Sequence, residues 1–517
     1  MLKILIFIAC LLLSACMVGP DYKEPAKNVA PYWLQKNPAV KVAPINNADW
    51  WKVFNDPTLT QLIHCGYHNN LSLQIAGVRV LQARAKLAQS VGELYPQQQV
   101  LNGSYTHVRT GGGELQGILP DKFDTASVGL SASWEIDFWG KYRRAIRAND
   151  AAFLASLAAY DNALVSLTAD IAHAYISIRT LQQQIKTTQT NIHLQKVSLD
   201  IAQSRYRGGQ TSLLDVQQAE TELAETQSSL PDLVSQLQRQ KDALAVLLGL
   251  VPTQVDDLLK KGSGIPRAPV SVAIGIPKEA LARRPDIYQA RMEAVAQSES
   301  IGAVKANLYP ALTLSGSFSY TANNIGQASI SNLFDPANRS VIAGPSVVWP
   351  LLNYGQITNA VREQDAVFQQ SLLNYLNQVL KAQQEVQDNI TQYIEARKTT
   401  ALLGSANTSA TKTTRLALIR YREGEANYTA VLNAEQQQLR IQKSLINAEG
   451  EIAKSLVALY RSLGGGWQIR RGNDIVPETI KQEMAARTNW GSLLKQQNHE
   501  RPTTTEQQIK QLYLPNW

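Results

Sequence analysis

Residues 126–138 alternate between apolar and polar side chains. Ala126, Val128, Leu130, Ala132, Trp134, Ile136 and Phe138 share one face, and Ser127, Gly129, Ser131, Ser133, Glu135 and Asp137 share the other. A period of two predicts a β-strand, here longer than most strands of globular proteins. Residues 312–320 repeat the pattern, with Leu312, Leu314, Phe318 and Tyr320 against Thr313, Ser315, Ser317 and Ser319. Segments 98–108 and 339–349 alternate less strictly and are predicted to pair with these two as hairpins. The intervening loops, 109–123 and 321–338, are rich in Gly, Asn and Ser.

Between the strand pairs the period changes to that of a helix. Lys141 to Arg207 contains no Pro or Gly, and Gln356 to Glu423 contains only Gly404. At 1.5 Å per residue each predicted helix reaches about 100 Å. Apolar positions such as Ala163, Leu167, Ile171 and Ala174 form a stripe that needs a partner. Segments 71–94 and 212–248, stacked end to end, have the length to run beside the first long helix. Segments 285–308 and 426–463 match the second. Pro96 and Pro310 mark helix-to-strand switches, because the residue before a proline is pushed extended. Gly140 and Gly355 mark the strand-to-helix switches, and Gly209 and Gly424 permit tight turns at the far tip. Pro231 is predicted to kink the segment that contains it.

The chain thus states one unit twice, about 215 residues apart. Leu94-Tyr95-Pro96 answers Leu308-Tyr309-Pro310, Phe138-Trp139-Gly140 answers Asn353-Tyr354-Gly355, and Arg205-Tyr206-Arg207-Gly208-Gly209 answers Arg420-Tyr421-Arg422-Glu423-Gly424. Duplication at this scale sets the architecture. The expected organisation is a signal peptide at 1–15, an N-terminal segment at 16–60, repeat 1 at 61–250, a linker at 251–276, repeat 2 at 277–467 and a polar extension at 468–517. The extension carries seven basic and five acidic residues; it either wraps the middle of the molecule or is disordered.

Half-buried strands of a soluble sheet alternate in the same way. Two features point instead to a membrane. The polar face is mostly Ser, Thr and Gly, as a water-filled lumen requires, and Trp134, Trp139, Trp349 and Tyr354 fall near strand ends, where an aromatic girdle sits. Four strands cannot close a barrel, since small ones need about eight. An open edge in lipid leaves backbone groups unpaired. The barrel is therefore expected to be assembled from several chains.

The N-terminus has a charged start, an apolar run from Ile4 to Leu13 and small residues before Cys16, as a signal peptide does. The run is too short to span a bilayer, and no second run of about 20 apolar residues follows, so no transmembrane helix is expected. Leu13-Ser14-Ala15-Cys16 resembles a bacterial lipobox, which implies cleavage before Cys16 and lipid on that residue. Met17 is not the Asp that retains many lipoproteins in the inner membrane, so the anchor is expected in the outer one. Apart from the leader, only Cys16 and Cys65 remain, and a lipidated Cys16 leaves no disulfide.

The net charge of +8 is scattered among Gln, Ala and acidic residues without a basic run, which argues against nucleic acid as a partner. The six His are dispersed, and no zinc spacing, nucleophile elbow or phosphate loop is present. No enzyme and no cofactor are expected, beyond the covalent lipid.

Lipobox, duplicated unit and the ending Leu463-Gly464-Gly465-Gly466-Trp467 together resemble the TolC-like outer-membrane factors, and among them the lipidated NodT-type members of tripartite, RND-type efflux systems. Gly19-Pro20-Asp21-Tyr22, Trp50-Trp51 with Asp56-Pro57, and Arg283-Arg284-Pro285-Asp286-Ile287 add to the likeness. The resemblance implies a mixed α and β membrane protein: a homotrimer sharing a 12-stranded β-barrel in outer-membrane lipid and a long helical barrel in the periplasm. It implies an antibiotic-resistance type of role, passing drugs or other small molecules from an inner-membrane RND-type pump and a periplasmic adaptor to the exterior. Type I protein secretion and metal-ion efflux are the alternatives; four Met and three Cys are few for soft-metal handling. A trimeric coiled-coil adhesin would lack the interrupting strands. The resemblance also puts a gate at the helical tips, where a ring of carboxylates in a narrow neck favours cations. Asp215 is the first candidate and Glu425 the second, while Asn433 stands where the family often has Asp. Asp215 equally suits the first turn of a helix as a dipole partner.

Overall fold

The computed structural model describes residues 17–35, 37–43, 47–110, 120–260, 262, 264–495 and 512–514. The leader and Cys16 lie outside the described residues.

Three layers stack along one axis. At one end lies a four-stranded antiparallel sheet of β2 (Gln98–Arg109), β3 (Lys122–Ile136), β5 (Ala311–Asn323) and β6 (Arg339–Val348), in the order β2-β3-β5-β6. The register fulfils the alternation. Val128 faces Tyr320, Leu130 faces Phe318, Trp134 faces Leu314 and Ile136 faces Leu312, while Ser127, Ser131 and Ser133 face Thr321, Ser317 and Ser315. One face of the sheet is therefore apolar and the other hydroxyl-rich. On the loop side β3 and β5 run beyond the expected ends, shortening the loops to 110–121 and 324–338, while on the helix side β3 stops at Ile136 and β6 at Val348, short of the expected 138 and 349. The alternation on the loop side passes to charged and polar residues, which hid it from a reading by hydropathy.

Four helical columns hang from the sheet. α3 (Lys141–Arg207) and α8 (Gln356–Arg422) are the two 67-residue helices. α2 (Leu71–Gly92) and α4 (Leu213–Leu248) stack along α3. α7 (Pro285–Lys305) and α9 (Tyr428–Ser462) lie between α3 and α8. The expected segments 212–248 and 426–463 begin slightly later, because Ser212 and Asn427 are extended N-caps; the Asn427 side chain accepts from the Ala430 amide at 3.3 Å. α4 runs through Pro231 without a break. The middle of α3 is long and apolar enough by composition to cross a membrane, but most of that stretch is buried against its neighbours.

The middle layer gathers segments far apart in sequence. β1 (Val40–Lys41) pairs in parallel with β4 (Val272–Ala273). α1 (Pro57–Asn69), the short α5 (Val255–Leu259) and α6 (Pro277–Ala282) pack here, with α10 (Glu478–Arg487) at the C-terminal side. Trp50, Trp51, Leu62, Tyr175, Val255, Leu456 and Val476 share one core. Residues 468–495 are thus built in: Arg470 pairs with Asp161, both nearly sealed from solvent, and the backbone of Ile475 lies so close to Gly77 that a Cβ there would meet its carbonyl oxygen at 2.3 Å.

Candidate functional site

The helical tip is built from two copies of one turn. After α3, the Gly209 amide bonds the Tyr206 carbonyl and the Gln210 amide the Arg205 carbonyl; after α8, Gly424 bonds Tyr421 and Glu425 bonds Arg420. Gly209 and Gly424 have φ of +69° and +84°, so each needs the left-handed region that glycine tolerates.

A tether joins the two turns. Asp215, in the first turn of α4, accepts from the Thr211 hydroxyl and, at 3.2 Å, from the hydroxyl of Tyr421 at the end of α8. Tyr421 is buried; the Arg205 guanidinium lies 4.8 Å from its ring centroid, and Tyr428 packs edge-on at 5.3 Å. Burial pushes both phenols up. Of the three sequence candidates, only Asp215 enters this network. Glu425 is exposed and pairs with Arg420 at 3.5 Å, which offsets its charge. Asn433 is exposed on α9.

One layer above the tip is a pair of buried carboxylates that the sequence reading missed. Glu222 accepts from Gln195 at 3.2 Å and Gln436 at 2.7 Å; Glu435 accepts from Ser198 at 2.5 Å. Burial, aided by the Glu222 charge and opposed by the Ser198 hydrogen bond, holds the Glu435 carboxyl above the ordinary carboxylate range. The only hint in sequence was a Glu at helical spacing among small residues.

The other end of the helices is organised by tryptophans. Trp134 donates to the Leu94 carbonyl and Trp349 to the Leu308 carbonyl, each at 3.1 Å, so both repeats tie sheet to helix in the same way. Asp137 caps α3, accepting from the Tyr142 and Arg143 amides at 3.0 Å. The N-terminal segment returns to this junction. Val18 donates to the Trp139 carbonyl at 3.1 Å, and buried Arg144 holds Asp21 at 2.9 Å and Glu299 at 2.7 Å.

A sheet with one apolar face, set on long helical columns, defines a subunit of a membrane channel. The family description "Outer membrane efflux protein" matches residues 63–250 and 276–465, and the chain belongs to that family. The pyoverdine export outer membrane protein OpmQ of Pseudomonas putida is 31% identical over 86% of this chain and 94% of its own length. Nodulation protein T of Rhizobium leguminosarum bv. trifolii is 28% identical, covering 88% and 96% respectively. Among solved structures, the outer-membrane channel OprN superposes with a TM-score of 0.80 at 31% identity, over 88% of this chain and 100% of that one. The TolC-like fold, the outer-membrane location and the efflux-channel function expected from the sequence are borne out.

Proposed function

We propose that three copies of this chain close one 12-stranded barrel and one tunnel of twelve helical columns. The tunnel carries small molecules outward from a periplasmic adaptor and an RND-type inner-membrane pump. The observation that carries this reading is the sheet with an apolar face and two free edges, β2 and β6, which a bilayer does not tolerate. The column edges agree: α8 exposes Leu373, Leu380, Leu402 and Leu416, and α4 exposes Leu213, Leu214 and Val246, where the neighbouring chains would meet. Conduction needs no bond made or broken in this chain; the Ser-lined face offers a wet, neutral path. Mass measurement on the detergent-solubilised protein tests it, with three chains expected; a stable monomer would sink the closed-barrel reading.

Cys16 is the proposed lipid anchor. Met17, the next residue in sequence, packs against Gly140 at the sheet–helix junction. Asp215, with Thr211 and Tyr421, is the proposed gate tether, and Glu425 and Asn433 face the solvent side of the tip. Reversible crosslinking in cells from 205–216 and 420–433 would capture the adaptor and pump. Capture of an ABC-type exporter instead would move the assignment to protein secretion.

A further inference from the structure

The apolar face of the sheet ends in positive charge at the rim away from the helices. Arg109 closes β2, Lys122 opens β3, and the two are direct partners in the ladder. The same register places them on the face that carries Leu101, Val128 and Leu130. Like charges opposed across a ladder repel. Among the described residues no ion pair joins either cation. The carboxylate two residues along that face, Asp124, is already engaged by His107 at 2.6 Å and by the Asn324 amide at 3.0 Å.

Height fixes what this pair meets. Gln98–Arg109 spans 12 residues, which at ~3.4 Å per residue and a tilt of ~40° climbs about 30 Å. That clears an apolar band of about 25 Å. Below the pair, four residues down the same face of β2, lies Tyr105. Arg109 and Lys122 therefore stand on the lipid side at headgroup level of the outer leaflet. A guanidinium fork beside an ammonium is suited to a phosphate, which also relieves their mutual repulsion.

We propose that Arg109 and Lys122 form a phosphate-binding site for the headgroup of an outer-leaflet glycolipid, lipopolysaccharide, with one site on each chain. The proposal rests on the reading that the apolar face meets lipid. The test is native mass spectrometry of the full-length trimer incubated with phosphorylated lipid A, with dephosphorylated lipid A, and with lipid A plus 10 mM inorganic phosphate. Wild type is expected to retain the phosphorylated form at least tenfold more than the dephosphorylated one, and an Arg109→Ser/Lys122→Ser variant to lose that preference while remaining trimeric. Equal retention of both lipids by wild type overturns the site, and so does a double variant that binds like wild type. Displacement by inorganic phosphate assigns the pair to a soluble anion and overturns the lipid source. The lipid-side comparison holds even where the variant fails to assemble. Failure of the barrel reading is told apart by the absence of a trimer in wild type.

Discussion

Asp215 is the acceptor for a phenol that has almost no access to water, so its removal costs more than one hydrogen bond. Asp215→Ala leaves the Tyr421 hydroxyl without this partner, a loss of about 1–3 kcal/mol at the tip. Single-channel recording is expected to show a larger leak and weaker cation preference; unchanged selectivity would remove Asp215 from the gate. Glu435 gives the tip a pH dependence with a definite sign. Its carboxyl is held above its unfolded value, so the folded state binds the extra proton. The stability it contributes is present at and below the ordinary carboxylate range and fades as pH rises through its elevated value. Hydrogen-exchange protection of the 216–222 and 428–438 amides, taken relative to the intrinsic rate at each pH, is expected to fall across that window, and Glu435→Gln should flatten the response. A loss of protection that persists in the variant would clear Glu435 of the effect. Cys16→Ala is expected to abolish palmitate labelling while trimers still form; normal labelling of that variant would refute the anchor.

Single elements were legible where one periodicity ran unbroken. The bounds of α3 were readable because no Gly or Pro interrupts residues 141–207, and β3 was readable because each face keeps one chemistry. The two-residue strands β1 and β4 were not, since they are too short to show a period and are defined only by each other. Pro231 lies inside α4 without ending it, because the turns on either side hold the helix whatever one residue prefers. The Glu222–Glu435 layer was hidden because its members come from two helices that the sequence separates by about 200 residues. Face assignment in the sheet yields a firm expectation. Val128→Arg puts a charge on the apolar face opposite Tyr320, at a cost of about 2–4 kcal/mol near the midplane. Heat-modifiable trimers on gels should fall sharply, whereas Ser131→Arg on the hydroxyl face should assemble. Indifference to Val128→Arg would reverse the faces.

At the scale of the whole molecule, the middle layer closes the design by drawing the N-terminal segment, the linker and the C-terminal extension into one core. Cutting the chain after Trp467 strips Asp161, 1% exposed in the intact protein, of its Arg470 guanidinium, a loss on the order of 3–5 kcal/mol. The truncated protein is expected to melt earlier, with Asp161→Asn recovering part of the difference; no recovery would mean that the lost packing of Ile475, Val476 and Met484 dominates. The doubled turn at the tip bears on stoichiometry. Arg205-Tyr206-Arg207 and Arg420-Tyr421-Arg422 present the same backbone geometry, so three proposed chains offer six grips, while the Asp215 tether occurs three times because Ala430 holds the matching place in the second copy. A docking subunit that reads only the turn would count to six on a threefold duct, and one that reads the tether would tell odd seats from even.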